Sequence, residues 1–172
     1  MTGSRRLLPF LLLLLAAWLT VPAAFGASIP AAERRGTVTW VYDADTLRVE
    51  PHGRVRLIGI DAPEKAASAR DRAFTSLGIA PGRLRPVYAA GLDWSIRNVK
   101  GQTVTLRPGQ PERDRHGRLL AYVLLADGRL LNRLLLEEGL VIVYRRAAFP
   151  AMEDFLAAEA AARQRSVGLW SD

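Results

Sequence analysis

Three short stretches of this chain combine residue types that could act on a phosphate ester. They are Asp43–Thr46, Arg56–Glu64 and Asp114–Arg118, and each holds carboxylates, arginines or both. In a chain with no cysteine and only two histidines, such carboxylates suit a hard cation that prefers oxygen ligands. The planar guanidinium of arginine suits a phosphate. Together these residue types predict phosphodiester chemistry.

The acidic residues fall into two pairs. Asp43 and Asp45 are two residues apart at a predicted strand end, so both side chains can approach one point in an extended chain. The alternative is a plain turn, because aspartate readily accepts hydrogen bonds from nearby backbone amides. Asp61 and Glu64 follow the apolar run Ile58-Gly59-Ile60. The alternative for this second pair is a proline turn with two solvated acids.

Two arginines favour a shared site over separate turns. Arg56 precedes Asp61 by five residues, on a strand that must pair with the one carrying Asp45. Arg118 follows a glycine in a turn just before another predicted strand. Each arginine alone is typical of a surface residue, but together they would surround the carboxylates.

The elements that must position these residues are short strands followed by helices. Alternating β-branched and aromatic residues predict strands at Thr37–Tyr42, Thr46–Glu50, Arg54–Ile60, Gln102–Leu106 and Leu119–Leu125. Apolar residues at helical spacing predict helices at Val87–Asn98, Leu130–Glu138 and Pro150–Val167. The stretch Ala66–Pro86 is predicted to be irregular, with a short helical piece around Ala67–Leu77. The pattern indicates an α+β fold with a mostly β core, namely a five-stranded Greek-key barrel with three helices.

The amino terminus has the three-part layout of a secretory signal. Arg5 and Arg6 precede the leucine-rich run Leu7–Leu19, and Ala24-Phe25-Gly26 supplies the small residues of a cleavage site. The alternative is an uncleaved anchor in the inner membrane, because about 20 apolar residues can span a bilayer. We predict a cleaved signal peptide at residues 1–27, a single domain at residues 28–172, and export to the periplasm or the medium.

The composition of the chain narrows the classes of partner. The chain has 24 basic and 17 acidic residues, a net charge of +7, and removing residues 1–27 lowers this charge by two. A basic domain attracts polyanions, which fits nucleic acid and equally fits anionic lipid or heparin-like material. The absence of cysteine excludes a disulfide scaffold and thiolate metal sites.

In their order along the chain, the motifs resemble those of the staphylococcal (thermo)nuclease family. The resemblance runs from about Gly36 to Trp170 and rests on Asp43–Thr46, Arg56–Glu64, Asp114–Arg118, Asn132 with Glu138-Gly139-Leu140, and Gly168-Leu169-Trp170. It implies a barrel of the oligonucleotide-binding (OB) type and calcium-dependent hydrolysis of DNA and RNA. We also predict a monomer that needs no obligate protein partner. The alternative is a non-catalytic OB-fold module that binds nucleic acid, since such barrels often serve as binding platforms.

By position, the resemblance assigns a metal site. It makes Asp45 and Asp61 the calcium carboxylates, Ala62 the donor of a backbone carbonyl, and Asp43 a carboxylate that binds through water. Calcium accepts such flexible oxygen ligation, and manganese or magnesium are alternatives at the same oxygens. Ala44 stands where the family usually has glycine. If that position had a positive φ, alanine would strain the loop by about 1 kcal/mol.

The resemblance also assigns catalytic and substrate-binding roles. Arg56 and Arg118 would stabilise the negative charge that develops on the phosphate, and Glu64 would orient or deprotonate the attacking water. The resemblance further implies substrate contacts from Arg115, His116 and Tyr144.

Overall fold

Alternating apolar and polar residues form most of the strands. The computed structural model describes residues 32–171 and contains seven strands in that part of the chain: β1 (Arg34–Asp43), β2 (Thr46–Glu50), β3 (Gly53–Leu57), β4 (Ile60–Asp61), β5 (Thr103–Arg113), β6 (Leu119–Leu124) and β7 (Ile142–Val143). The predicted signal peptide, residues 1–27, lies outside the described residues. Among residues 32–171, no helix is both long enough and apolar enough to cross a membrane.

Five of the strands close into a barrel in the order β1-β2-β3-β6-β5. β3 and β6 are parallel and the other neighbours are antiparallel. The inward side chains are fully buried and form the core of the barrel, among them Val38, Leu47, Val55, Val104, Leu119 and Val123. The prediction of a five-stranded barrel with a mostly β core is therefore confirmed.

Four α-helices lie outside the barrel in the described part of the chain, one more than predicted. They are α1 (Arg72–Thr75), α2 (Pro81–Asn98), α3 (Leu131–Glu137) and α4 (Met152–Gln164). The additional helix, α1, is a single turn anchored by the buried Phe74. It lies in the stretch predicted to be irregular with a short helical piece.

Helix α2 begins at Pro81, and the prediction that it begins at Val87 is wrong. Proline at the first helical position has a suitable φ and lacks an N–H that would be unpaired there. Pro86 lies inside the helix and removes one of its hydrogen bonds. The buried side chains of Leu84 and Val87 hold both halves of the helix against the core, so packing outweighs this local cost.

The predicted strand Arg54–Ile60 is interrupted at Gly59. This glycine has a φ of +79°, and an added Cβ would lie 2.6 Å from the ring of Phe149. The chain turns there and leaves the barrel, and β4 pairs with β7 in a separate two-stranded sheet. The turn places Asp61 in β4, where it pairs with Ile142 of β7.

Two glycine motifs pack against each other at the carboxyl end of the domain. Gly139 and Gly168 both have positive φ, and a Cβ on Gly139 would overlap the backbone oxygen of Val167. The amide of Leu169 donates to the Gly139 carbonyl at 2.8 Å. The 3₁₀ turn Gly168–Trp170 is thereby fixed to the end of α3.

Candidate active site

The ladder between β2 and β3 brings Arg56 to the carboxylates. Thr46 pairs with Arg56 in this ladder, and their neighbours Leu47 and Val55 point into the barrel. Alternation then directs Thr46 and Arg56 to the outer face. Arg56 is buried there because the chain around Asp61 covers it.

Arg56 lies between two buried aspartates. Its Nη1 is 2.9 Å from Oδ2 of Asp45, and its Nη2 is 2.8 Å from Oδ1 of Asp61. One guanidinium therefore joins the β1–β2 turn to β4, the strand that carries Asp61. Removing it would leave two carboxylates buried without their main counter-charge.

Both carboxylate oxygens of Asp45 accept hydrogen bonds. The amide of Ala62 donates to its Oδ2 at 2.7 Å, and the hydroxyl of Thr46 donates to its Oδ1 at 2.8 Å. Burial alone would raise the pKa of Asp45, but the charge of Arg56 and these hydrogen bonds lower it below the ordinary value. Asp45 is therefore held as a carboxylate.

Asp43 and Asp61 are less well compensated. Asp43 Oδ1 accepts from the Asp45 amide at 2.9 Å, and burial together with the charge of Asp45 raises the pKa of Asp43 to about 8. Burial also raises the pKa of Asp61, against the opposing charges of Arg56 and Arg70. A cation placed near these two acids would relieve both shifts.

Arg70 is a member of the site that the sequence analysis did not assign. Its Nη1 lies 2.6 Å from Oε1 of Glu64, and its Nη2 lies 2.6 Å from Oδ1 of Asp61. Glu64 is therefore paired with an arginine rather than directed freely toward the solvent. The only signal in the sequence was an arginine nine residues after Asp61 in an arginine-rich stretch.

Arg118 is positioned by a turn that Asp114 organises. The Asp114 carboxylate accepts from the backbone amides of His116 and Arg118 and, at 2.8 Å, from Nε of Arg118. Gly117 has a φ of +75°, which closes this turn. Burial acts to raise the pKa of Asp114, but the hydrogen bonds from Arg118 and His116 lower it overall. Nη1 of Arg118 reaches Oγ1 of Thr46 at 3.5 Å, which links the turn to the Asp45 side of the site.

A groove of about 720 Å³ runs beside these groups. Its lining includes six of the ten residues predicted for the site: Arg56, Asp61, Arg115, His116, Arg118 and Tyr144. Arg115 and His116 are exposed, and Arg115 Nε donates to Nε2 of His116 at 3.1 Å.

The other four predicted residues, Asp43, Asp45, Ala62 and Glu64, are not part of the lining. Asp45 contacts Arg56 and Glu64 contacts Arg70, whereas Asp43 and Ala62 are each hydrogen-bonded to Asp45. Arg70, Arg146 and Phe149 also line the groove and were not predicted.

Buried hydrogen bonds fix the backbone segments that carry the site. Asn132 is fully buried, and its side chain donates to the Ile58 carbonyl at 2.8 Å and accepts from the Val123 amide at 3.0 Å. The Tyr144 amide donates to Gly59 at 2.9 Å. Glu159 on α4 accepts from the Val143 amide at 2.7 Å. The motif residue Asn132 therefore holds the chain just before Asp61.

Ala44 does not carry the strain that a positive φ would cause. Among the described residues, Ser166 is the only non-glycine residue with a positive φ. The φ of Ala44 is therefore not positive, and its backbone is not strained. Its side chain is buried, and a methyl group added to Gly91 of α2 would lie 3.1 Å from its Cβ. The methyl group of Ala44 thus packs against α2.

The donors at this site fit a hard cation in chemistry, but they are not gathered around one point. Asp43, Asp45 and Asp61 offer oxygen ligands only, and burial raises the pKa values of Asp43 and Asp61, which a nearby cation would lower. Within residues 32–171, however, no three Asp, Glu, His or Cys side chains lie close enough to hold an ion together. Arg56 and Arg70 pair with Asp61 in the described arrangement.

Comparisons with known proteins identify the family of the chain. The family model described as "Staphylococcal nuclease homologue" matches residues 54–172. An "Uncharacterized endonuclease" of Escherichia coli O157:H7 is 33% identical over 155 residues, covering 86% of this chain and 84% of that protein. A "Micrococcal nuclease" of Shigella flexneri is 31% identical, covering 84% of this chain and 79% of its own length. A "Thermonuclease" of Staphylococcus hyicus is 29% identical, with 83% and 79% covered. The chain belongs to the family of staphylococcal nuclease homologues.

Proposed function

We propose that the protein is an exported, calcium-dependent nuclease that hydrolyses DNA and RNA with little sequence specificity. The observation that carries this proposal is the Arg56 guanidinium, held between Asp45 and Asp61 on the wall of a groove that also contains Arg118. Membership of a nuclease family and three relatives named as nucleases support the reaction class. Export rests on the signal-like pattern of residues 1–27.

Arg56 and Arg118 are proposed to bind the scissile phosphate. Both line the groove, and both are oriented by carboxylates, so their guanidinium groups lose little conformational freedom when a phosphate arrives. Attack on a phosphodiester increases the negative charge on its non-bridging oxygens, and fixed guanidinium donors stabilise that charge. Glu64 is proposed to orient or deprotonate the attacking water once it separates from Arg70.

Calcium is proposed as the cofactor, held by Asp45, Asp61 and the Ala62 carbonyl, with Asp43 binding through water. It would supply positive charge beside the scissile phosphate. Manganese and magnesium remain alternatives at the same oxygens. Arg115, His116 and Tyr144 on the groove wall are proposed to contact the rest of the nucleotide. None of these contacts needs a second subunit, so we propose an active monomer.

The test is hydrolysis of single-stranded DNA and of RNA by the wild-type protein with calcium, magnesium, manganese or EDTA. We expect cleavage of both polymers with calcium and none with EDTA. Arg56→Ala and Glu64→Gln should each lower kcat by at least about 100-fold, the order found when one stabilising or proton-transferring group is removed. Arg129→Ala is the control, because Arg129 is exposed and pairs with Asp127. Intact polymers with every metal would overturn the proposal.

One observation favours a second function, the non-catalytic binding module. Glu64 is already paired with Arg70, and the described carboxylates do not form a ready metal cage. The same assay separates the two functions when oligonucleotide binding is measured beside hydrolysis. Tight binding without cleavage would identify a binding module.

A further inference from the structure

An exposed surface next to the active site combines aromatic rings with cations. We call it the aromatic–basic surface and define it by Trp40, Tyr42, Arg48, Arg54 and Lys100. Trp40 is 53% exposed, unusually open for so large an apolar side chain. Lys100 Nζ lies 4.9 Å from the centre of the Trp40 ring, and the Arg54 guanidinium lies 4.4 Å from that of Tyr42.

Strand register makes this surface continuous with the candidate active site. In the β1–β2–β3 ladders, Thr46 pairs with both Asp43 and Arg56, which are residues of the site. Two residues further along β2, Arg48 pairs with Trp40 and Arg54. Side chains two apart lie on the same face. The surface therefore begins about 7 Å along the strands from Arg56, given a rise of about 3.4 Å per residue.

The charges of the surface are arranged unfavourably for the protein alone. Arg48 and Arg54 are directly opposite each other on neighbouring strands, and like charges in such pairs are destabilising. Glu50 pairs with Arg48 at 2.6 Å. This leaves one nearby carboxylate for the three cations of the surface, namely Arg48, Arg54 and Lys100. The neighbouring guanidinium of Arg54, and to a smaller extent that of Arg48, lowers the pKa of the Tyr42 hydroxyl. An anion bound between the arginines would relieve their repulsion.

We propose that the aromatic–basic surface is an accessory binding site for single-stranded nucleic acid, next to the scissile phosphate. A base stacks on the open part of the Trp40 ring, and Arg48 and Arg54 bind the adjoining phosphates. Aromatic rings beside a cationic track are the general means of holding a single strand without reading its sequence. A base in a duplex is already stacked on both faces, so Trp40 requires an unpaired base. This proposal names a substrate contact of the proposed nuclease and rests on that function for its purpose.

Binding is measured in EDTA, so the result does not depend on hydrolysis. The probe is a fluorescein-labelled 20-nucleotide oligothymidylate, followed by anisotropy with protein expressed from the full chain. Trp40→Ala should raise Kd about tenfold, within the range for loss of one base–aromatic stack. Trp40→Phe should restore most of the affinity, because it keeps a ring. Arg54→Gln should reduce the slope of log Kd against log salt by about 0.7, the value for one phosphate contact on a single strand.

Ile96→Ala is the control, because Ile96 is the other large apolar side chain of the described residues that is exposed, and it lies on α2. Its Kd should match that of the wild type, and equal thermal midpoints should show that all variants fold. With calcium, Trp40→Ala should lower kcat/KM for the 20-mer more than for bis(p-nitrophenyl) phosphate, which is too short to reach Trp40.

The outcomes for the surface and for the proposed function are distinct. Wild-type affinity in Trp40→Ala would overturn the surface proposal, even if the enzyme cleaves DNA. A Trp40-dependent Kd in a protein that cleaves nothing would support the surface and overturn the nuclease assignment. Trp40-dependent binding to vesicles of phosphatidylserine, with an unchanged Kd for the oligonucleotide, would assign the surface to membranes and overturn the proposal.

Discussion

Arg70 holds Glu64 through a contact of 2.6 Å between Nη1 and Oε1. The same guanidinium also reaches Asp61, so one positive group occupies two carboxylates that a metal-dependent reaction would need. The arginine acts as an internal counter-ion of the site. In the proposed reaction, a divalent cation would have to compete with it for Asp61, and the attacking water would have to compete with it for Glu64.

Removing Arg70 should therefore strengthen calcium binding. We expect Arg70→Ala to lower the calcium Kd about fivefold, which corresponds to an ion pair worth about 1 kcal/mol. Isothermal titration with calcium, without substrate, measures this directly. Arg72→Ala is the matched control, because it removes the same charge from an exposed position two residues away. Equal affinities in the two variants would contradict the internal counter-ion.

Replacing Arg56 should destabilise the metal-free protein strongly. Arg56→Met leaves Asp45 and Asp61 buried without their guanidinium, and breaking such a pair costs about 3–5 kcal/mol. Urea denaturation in EDTA measures the loss, and added calcium should restore part of it. Arg129→Met breaks an exposed ion pair and should cost at most about 1 kcal/mol. A similar small loss in both variants would show that Arg56 is not a structural counter-charge.

The raised pKa of Asp43, about 8, makes stability depend on pH in the metal-free protein. The folded state binds this proton more tightly than the unfolded state, whose pKa is near 4. The stabilising contribution is therefore complete below pH 4 and is lost as the pH rises toward 8. Asp43→Asn mimics the neutral acid, so its advantage in unfolding free energy over the wild type should grow from pH 5 to pH 8. Urea denaturation in EDTA at each pH measures the unfolding free energy of both proteins. A difference that stays constant with pH would contradict the prediction.

The packing of Gly139 against Val167 and Gly168 should be sensitive to one methyl group. Gly139→Ala adds an overlap with the Val167 carbonyl to the strain of a positive φ, and we expect a loss above about 2 kcal/mol. Gly128→Ala is the control, because Gly128 also has a positive φ but open space around it. It should cost about 1 kcal/mol from backbone strain alone. Thermal and urea unfolding compare the two, and equal losses would contradict the packing argument.

Asn132 should matter for both stability and activity. Asn132→Ala leaves the part-buried Ile58 carbonyl and the buried Val123 amide without partners, which costs about 2–4 kcal/mol for two groups. Ile58 lies just before β4, which carries Asp61. The substitution should therefore lower kcat by a larger factor than the factor by which it changes KM. Asn98→Ala removes an exposed bond to Trp94 and should stay within about 0.5 kcal/mol of the wild type. An Asn132 variant as stable as this control would contradict the role.

The barrel and the central part of the site could be predicted because they depend on local alternation. The period of two along β2 and β3 puts Thr46 and Arg56 on the face opposite Leu47 and Val55, and strand pairing then brings Arg56 near Asp45. The Asp114–Arg118 turn could likewise be predicted from its own residues, because it contains a glycine. These features need only neighbouring residues and the geometry of a hairpin.

The rest depends on contacts that no local pattern encodes. Arg70 reaches Asp61 and Glu64 across a segment without periodicity, so nothing in the spacing fixed its direction. Gly59 appears in the sequence as part of a strand, and the ring that leaves no room for a Cβ at this position, Phe149, lies far along the chain. Pro86 resembles a helix boundary, yet the buried faces of Leu84 and Val87 continue the helix through it.

The contact between Ala44 and Gly91 has a consequence for how the two positions can change during evolution. The space between the β1–β2 turn and α2 admits one methyl group, which Ala44 supplies. Alanine at both positions would place two methyl carbons 3.1 Å apart, so α2 and the turn that carries Asp43 and Asp45 would have to move slightly apart, whereas glycine at both would leave a gap. The two residues therefore form a size-complementary pair, and homologues with glycine at the position of Ala44 should favour a larger residue at the position of Gly91. A reciprocal exchange, Ala44→Gly with Gly91→Ala, should recover stability that Gly91→Ala alone loses.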